Sequence, residues 1–423
     1  MKKLQLCNRA LFIKTGISEF SVRLHSVIFG VLSVLFIYLL SKNIFNRRVG
    51  LIASLILALS SYNIYYSQEA RTYALFTFLS ILSMYFFLNY LKNDNKHNLI
   101  YYFASTVFLM YSHYYSIFAL LVQNIFFFIV TGKKYWKIKK WLLMQFLIFL
   151  AYLPAIIGLA SLLKIFNKLM YWTKGVGDLN FVVYNFSGGK ELSILFTLIL
   201  LYGFIFIIRN KVLPDKDKQM SIFLIFWAVM PLIVLVICSL VFKPLFLTRY
   251  IIFSSIPFYI LVAYSIDKLN KYFIIAILIS IIIFSSFQIK NQFESVDKEP
   301  WNNVSYYVKG IANDGDIMII EPGYYITPFL YYYMPRCFNS LTIFGCATNQ
   351  NIYTVWNQLD KESHYIRYAN RIIYIKRESP KAENRSEFFK SMTKNFEVKS
   401  KKEFPTLHNG DIDIYLLTSN SNN

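Results

Sequence analysis

The sequence predicts a mainly α, polytopic membrane protein with about ten spans and a small α/β domain at its C-terminal end. Two observations lead there. Charge-free runs of bilayer-crossing length recur through the first two thirds of the chain. Near Lys290 the character then changes abruptly to dense charge with short apolar strands. Of the 423 residues, 56% are hydrophobic and 19% aromatic, and the mean hydropathy is +0.43, more apolar surface than a soluble chain can hide.

The runs without Asp, Glu, Lys or Arg are Leu24–Ser41, Val49–Gln68, Thr72–Leu91, Asn98–Gly132, Trp141–Leu163, Leu192–Ile208, Gln219–Phe242, Tyr250–Ile266 and Tyr272–Ile289. A bilayer core of roughly 30 Å needs a helix of about 20 residues. Val49–Gln68 can therefore cross as one helix. Asn98–Gly132 is too long for one, and its flanks, Lys92/Lys96 and Lys133–Lys140, are both basic. Two short spans with a turn at His113-Tyr114-Tyr115 keep those flanks on one side. Pro154, Pro231 and Pro257 fall inside spans, where kinks are tolerated.

Short basic loops mark the cytoplasmic side of a membrane. Lys42/Arg47/Arg48, Lys92/Lys96, Lys133–Lys140, Arg209–Lys218 and Lys268/Lys271 all come out inside. Outside are Tyr66–Arg71, the His113 turn, the loop Lys164–Lys190, the turn Lys243–Arg249 and everything after Ile289. The N-terminus is the exception, because ten spans put its Lys2, Lys3, Arg9 and Lys14 outside. That mismatch predicts a missing leading span. The expected organisation is residues 1–19 as the remnant of an external loop, 20–289 as the multi-span domain and 290–423 as the extracytoplasmic domain of a plasma- or inner-membrane protein.

The net charge of +21 does not call for nucleic acid. From Lys290 onward there are 16 Lys+Arg against 15 Asp+Glu, so the excess lies in the membrane region, with 28 against 8. In the C-terminal part, strands are expected at Asp316–Ile320, Arg371–Ile375 and Asp413–Leu417, with helix-compatible stretches at Trp301–Gly310 and Arg385–Asn395. Cys238 reads as a small core residue. Cys337 and Cys346 leave a disulfide and two free thiols both open.

The most informative segment is Tyr65-Tyr66-Ser67-Gln68-Glu69-Ala70-Arg71, an acid and a base at a membrane boundary, where ionisable groups are costly to desolvate. Membrane lipids surround such a chain. A polyprenyl phosphate would present its anionic headgroup at this level and keep its tail in lipid. Arg71 and Arg249 each sit where an external loop meets a span, and a guanidinium fork suits phosphate; snorkelling to lipid headgroups is the alternative. Glu69 is one of few external acids and either orients an acceptor or positions Arg71. Glu19 and Arg23 read as a local i,i+4 pair. His113 could bond a sugar or phosphate, or sit satisfied among tyrosines. The loop Tyr171–Lys190, with Trp172, Asp178, Tyr184, Phe186 and Ser187-Gly188-Gly189, has the aromatics and flexible glycines of a cover over carbohydrate. Walker, CxxC, HExxH and GxSxG motifs are absent from the sequence.

These features come in a familiar order. Ser18-Glu19-Phe20-Ser21-Val22-Arg23-Leu24 leads a span ending in Phe45-Asn46-Arg47-Arg48-Val49-Gly50. Then follow Ala58-Leu59-Ser60, the Tyr65–Leu75 run, Ser112-His113-Tyr114, Lys243-Pro244 with Arg249-Tyr250, and Lys298-Glu299-Pro300-Trp301 before Gly315-Asp316. From about Ser18 on, the chain resembles the glycosyltransferase family 39-like group, relatives of protein O-mannosyltransferases and the aminoarabinose lipid A transferase. The run Tyr65–Arg71 is its most specific part.

The resemblance implies a GT-C fold and transfer of a sugar from a polyprenyl-phosphate donor to a lipid or protein acceptor on the extracytoplasmic face. It implies Gln68, Glu69 and Arg71 near the active cavity and Arg249 and Tyr250 at the donor phosphate. Glu69 is the candidate catalytic carboxylate; Gln68, Arg71, His113, Arg249 and Tyr250 are the candidate substrate-binding residues. No cofactor or metal is expected, since arginines can neutralise a monophosphate leaving group. Family members begin with a span and an external loop bearing a catalytic aspartate, and nothing before Ser18 supplies either. The expectation is an N-terminally truncated chain with little activity. The competing readings are a flippase of lipid-linked sugars, disfavoured by the lack of internal symmetry, and a non-catalytic membrane scaffold.

Overall fold

The computed structural model describes residues 18–132, 135–169, 181–210, 213–241, 247–294, 299–338, 343–355, 366, 369–377, 387–406 and 410–419. The chain forms two compact units, dividing between Lys290 and Asn291.

The first unit is helical. Its elements are α1 (Glu19–Ile44), α2 (Arg47–Leu59), α3 (Ser61–Ser67), α4 (Tyr73–Lys92), α5 (Lys96–Ser112), α6 (Ser116–Thr131), α7 (Tyr135–Leu169), α8 (Val182–Ser187), α9 (Lys190–Arg209), α10 (Asp215–Val241), a 3-10 helix (Thr248–Ser254), α11 (Ser255–Asp267) and α12 (Lys271–Glu294). Short polar side chains start several of them. Ser18 and Ser21 form a capping box on α1, Asn46 accepts from the Val49 N–H on α2, and Asn95 accepts from the Asn98 N–H on α5. Glu19 and Arg23 pair at 3.1 Å, as their spacing predicts.

Among the described residues, seven helices are long and apolar enough to cross a membrane, and an eighth span results if the bent pair α2–α3 is counted as one. Residues 98–132 do divide into two helices around His113–Tyr115, but these have 17 and 16 residues, about 24–26 Å, short of a full crossing. The two short helices and the turn between them are as expected. Val49–Gln68 is not one continuous helix: the chain bends by 62° between α2 and α3. Ser60 ends α2 and caps α3, accepting from the Asn63 N–H, so the polar run Ser60-Ser61-Tyr62-Asn63 breaks the helix without any charge. Pro154 and Pro231 lie inside α7 and α10, and Pro257 is in the first turn of α11, where a missing N–H is harmless.

A buried polar network joins α4 to α7. Gln123 donates to Ser83 at 2.8 Å and accepts from Tyr102 at 3.1 Å; Gln145 donates to Tyr102; Asn124 donates to Gln145 and accepts from Trp141 at 2.8 Å. In hydrocarbon such bonds act as specific glue between helices. At one end of the bundle the basic loops are tied together by Lys140–Asp94 at 3.2 Å, Asn46–Asp267 at 3.0 Å and Lys268–Asp217 at 4.0 Å. The links 68–72, 113–115 and 188–189 leave the helices at their other ends.

The second unit is α/β. It contains α13 (Trp301–Ile311), β1 (Ile317–Glu321), a 3-10 turn (Gly323–Tyr325), α14 (Ile326–Tyr333), α15 (Pro335–Phe338), α16 (Ile343–Thr348), β2 (Ile352–Thr354), β3 (Arg371–Arg377), α17 (Glu387–Asn395), β4 (Phe396–Phe404) and β5 (Ile412–Ser419). The sheet order is β2-β1-β3-β5-β4, with β2, β1 and β3 parallel and β5 and β4 antiparallel. Alternate residues feed two cores: Met318, Ile320, Ile373 and Ile375 pack with Trp301, Val304 and Phe329, while Ile317, Ile319, Ile372 and Tyr374 pack with Met392 and Phe396. The three expected strands are β1, β3 and β5. Cys337 and Cys346 form a disulfide, and Cys238 is a free thiol.

Candidate functional site

The bend at Ser60 redirects α3, so that its end and the link to α4 lie beside the start of the 3-10 helix. The Tyr62 hydroxyl donates to the Thr248 carbonyl at 2.8 Å, and the Ser26 hydroxyl of α1 donates to the Arg71 carbonyl at 3.3 Å. These bonds bring three segments far apart in sequence to one place.

Tyrosine rings line it in a continuous series. Tyr65–Tyr66, Tyr66–Tyr73 and Tyr73–His113 have centroid separations of 5.2, 5.1 and 5.9 Å. His113 lies 5.4 Å from Tyr250, and Tyr250 5.0 Å from Tyr115. The Arg249 guanidinium stands 5.4 Å from the Tyr250 ring. Arg71 reaches the Tyr73 hydroxyl and feels the Glu69 carboxylate and Tyr250. Arg249 in turn feels Tyr73, Tyr250 and the like charge of Arg71. The two guanidiniums thus lie within electrostatic reach of each other. The Arg249 Nε is buried and has no hydrogen-bond partner among the described residues.

His113 caps α5 and is half-buried. Its Nδ1 accepts from the Tyr115 N–H at 3.2 Å, and burial lowers its pKa to about 4. The ring is then neutral at physiological pH with its proton on Nε2, which makes Nε2–H a donor.

Of the six residues singled out from sequence, Arg71, His113, Arg249 and Tyr250 gather in one patch, and Glu69 joins it through Arg71 and Tyr66. Gln68 ends α3, its N–H bonded to the Ile64 and Tyr65 carbonyls. Sequence reasoning missed Tyr66, Tyr73 and Tyr115 as lining residues. With 33 tyrosines in the chain, nothing marks these three. It also missed Ser26, which no local signal identifies.

Residues 170–180, with Trp172 and Asp178, and the turn at Lys243-Pro244 lie outside the described residues. Ser187-Gly188-Gly189 is described, and it is a packing joint rather than a flexible cover. Gly188 ends α8 at φ +83°, and side chains at either glycine would collide with Ser61 or Gln288.

A family profile described as dolichyl-phosphate-mannose-protein mannosyltransferase matches residues 9–157. Among solved structures, the chain is similar to ArnT from Cupriavidus metallidurans in the apo state, with a TM-score of 0.59 and 9% identity over 96% of this chain and 85% of that one. The same enzyme bound to undecaprenyl phosphate gives 0.59 and 9%, covering 96% and 86%. The archaeal oligosaccharyltransferase AglB from Archaeoglobus fulgidus, in complex with an inhibitory peptide and a dolichol-phosphate, gives 0.51 and 12%, covering 84% and 58%. No curated protein sequence matches the chain. The fold is that of the GT-C membrane glycosyltransferases. The chain thus has an ArnT-like fold, and its N-terminal third matches the mannosyltransferase profile.

Proposed function

We propose that this protein transfers a sugar from a polyprenyl-phosphate-linked donor to a lipid or protein acceptor at the extracytoplasmic face of the plasma or inner membrane. The observation that carries the reading is Arg71 and Arg249, two like charges within electrostatic reach in one tyrosine-lined patch, with an orphaned donor on Arg249. A phosphate placed between them relieves the repulsion and accepts that donor. Support for a lipid phosphate comes from the solved relatives that hold undecaprenyl phosphate and dolichol-phosphate. The site lies away from the basic loops, which favours the extracytoplasmic side, and the Cys337–Cys346 disulfide agrees with an oxidising compartment for the C-terminal unit.

In the reaction the acceptor hydroxyl attacks the anomeric carbon, the bond from that carbon to the phosphate oxygen breaks, and the hydroxyl proton passes to a carboxylate. Glu69 is the carboxylate beside Arg71. The arginines stabilise charge developing on the leaving phosphate, and His113 Nε2–H can donate to a sugar or phosphate oxygen.

The test is release of labelled headgroup from polyprenyl-phosphate sugars by the purified chain with membrane acceptors. Turnover dependent on both arginines supports transfer. Movement of intact donor across liposomes without headgroup release would instead make the protein a flippase.

A further inference from the structure

The first three strands of the C-terminal unit run in the order β2-β1-β3, all parallel. The chain leaves β1 for one neighbour and returns to the other, so the carboxyl ends of β1 and β3 form a topological switch point. In open α/β sheets, ligands bind outside such a point.

The side chains at that edge have the chemistry of a binding site. On one face, Arg377 at the end of β3 pairs with Glu299 at 2.8 Å, and Trp301 Nε1 donates to the other Glu299 oxygen at 2.6 Å. The Tyr325 ring stacks with Trp301 at 5.3 Å and lies 4.7 Å from the Arg377 guanidinium. Tyr324 adjoins Tyr325 at 4.2 Å, is half-buried, and feels the charges of Arg377 and Glu299. Arg377 Nε is buried and lacks a hydrogen-bond partner among the described residues. On the other face, Glu321 at the end of β1 bonds the Tyr374 hydroxyl and is in register with the buried Lys376 of β3.

We infer that this edge binds a neutral carbohydrate. Two acids and two bases balance within the cluster, so no net field favours an anion. The half-buried Tyr324 ring, backed by the buried Tyr325 and a fixed guanidinium, offers what a pyranose needs: a surface for its C–H face and donors and acceptors for its hydroxyls. The assignment does not depend on the transferase reading, because every residue in it belongs to the second unit.

The test uses the full chain in detergent and saturation-transfer NMR with the methyl glycosides of glucose, galactose, mannose and N-acetylglucosamine. Inorganic phosphate is the parallel probe. Saturable transfer to at least one glycoside is expected, weakened about tenfold or more by Arg377→Met and by Tyr324→Ala. The second variant leaves the Glu299–Arg377 pair in place if the first does not fold. Binding should survive Arg249→Lys. Three outcomes overturn the inference: no glycoside binds, phosphate binds instead and is lost in Arg377→Met, or glycoside binding survives Tyr324→Ala but is lost in Arg249→Lys. The last would put the sugar in the first unit and leave the transferase reading standing.

Discussion

The Tyr259 hydroxyl lies 2.8 Å from the Ser60 hydroxyl, across 199 residues of sequence. It also accepts from Asn63 Nδ2 at 2.9 Å and donates to the Phe186 carbonyl at 2.8 Å. One buried hydroxyl thereby fixes the break between α2 and α3, the end of α8 and the body of α11. Tyr259→Phe keeps the ring and strands these partners. A buried polar group left unsatisfied costs about 1–3 kcal/mol. The thermal midpoint of the detergent-purified variant should fall clearly, and an unchanged midpoint would show that the bend is held by other contacts.

Arg249 supplies the second prediction. Arg249→Lys replaces a planar fork with a point charge, and the orphaned Nε donor disappears. Losing one hydrogen bond to a charged group costs about 1.5–3 kcal/mol, or roughly 10- to 150-fold in affinity. Binding of an undecaprenyl-phosphate probe should weaken by that factor. Full affinity in a well-folded variant would leave Arg249 as a residue that merely snorkels to lipid.

His113 gives a pH dependence with a definite sign. Burial lowers its pKa from the ordinary 6.5 to about 4, so between these values the unfolded chain binds the extra proton. Its contribution to stability is complete above 6.5 and is lost as pH falls toward 4. Replacing it by Gln should flatten that part of the stability profile, measured as thermal midpoint against pH. A profile of the same slope in wild type and His113→Gln would contradict a buried neutral ring.

What the sequence showed and hid follows from where each signal resides. Helices such as α4 and α9 are local facts, charge-free runs with charged ends, and they read directly. The break at Ser60 is not local, because the Tyr259 hydroxyl that steadies it belongs to another helix. β1, β3 and β5 read as apolar runs because both their faces are covered, whereas β4 lies at an edge and is almost wholly exposed, its Lys399, Lys401 and Lys402 guarding against further pairing. At the site the charges were legible as exceptions in an apolar chain. The tyrosines between them were not, since ring stacking leaves no spacing rule across separate helices.

Orientation in the membrane is open to direct measurement. The ties Lys140–Asp94 and Lys268–Asp217 gather basic loops at one end, which the positive-inside tendency puts in the cytoplasm. An alkaline phosphatase fused after residue 423 should be active, and one fused at Lys139 inactive. The reverse pattern would invert the proposed face of reaction.

The last prediction concerns the carboxylate. Glu69 is half-buried between Tyr66 and Arg71, both of which sense its charge. It can therefore serve as the base for the acceptor hydroxyl or as the brace that holds Arg71. Glu69→Gln distinguishes the two roles, because the amide keeps the shape but accepts no proton. Removal of a general base typically costs about 10²–10⁴ in rate. If Glu69 is the base, headgroup release should fall by that order while donor affinity holds. If it is the brace, donor affinity should fall, and turnover at saturating donor should recover most of its value. Turnover and affinity both unchanged would remove Glu69 from the site altogether.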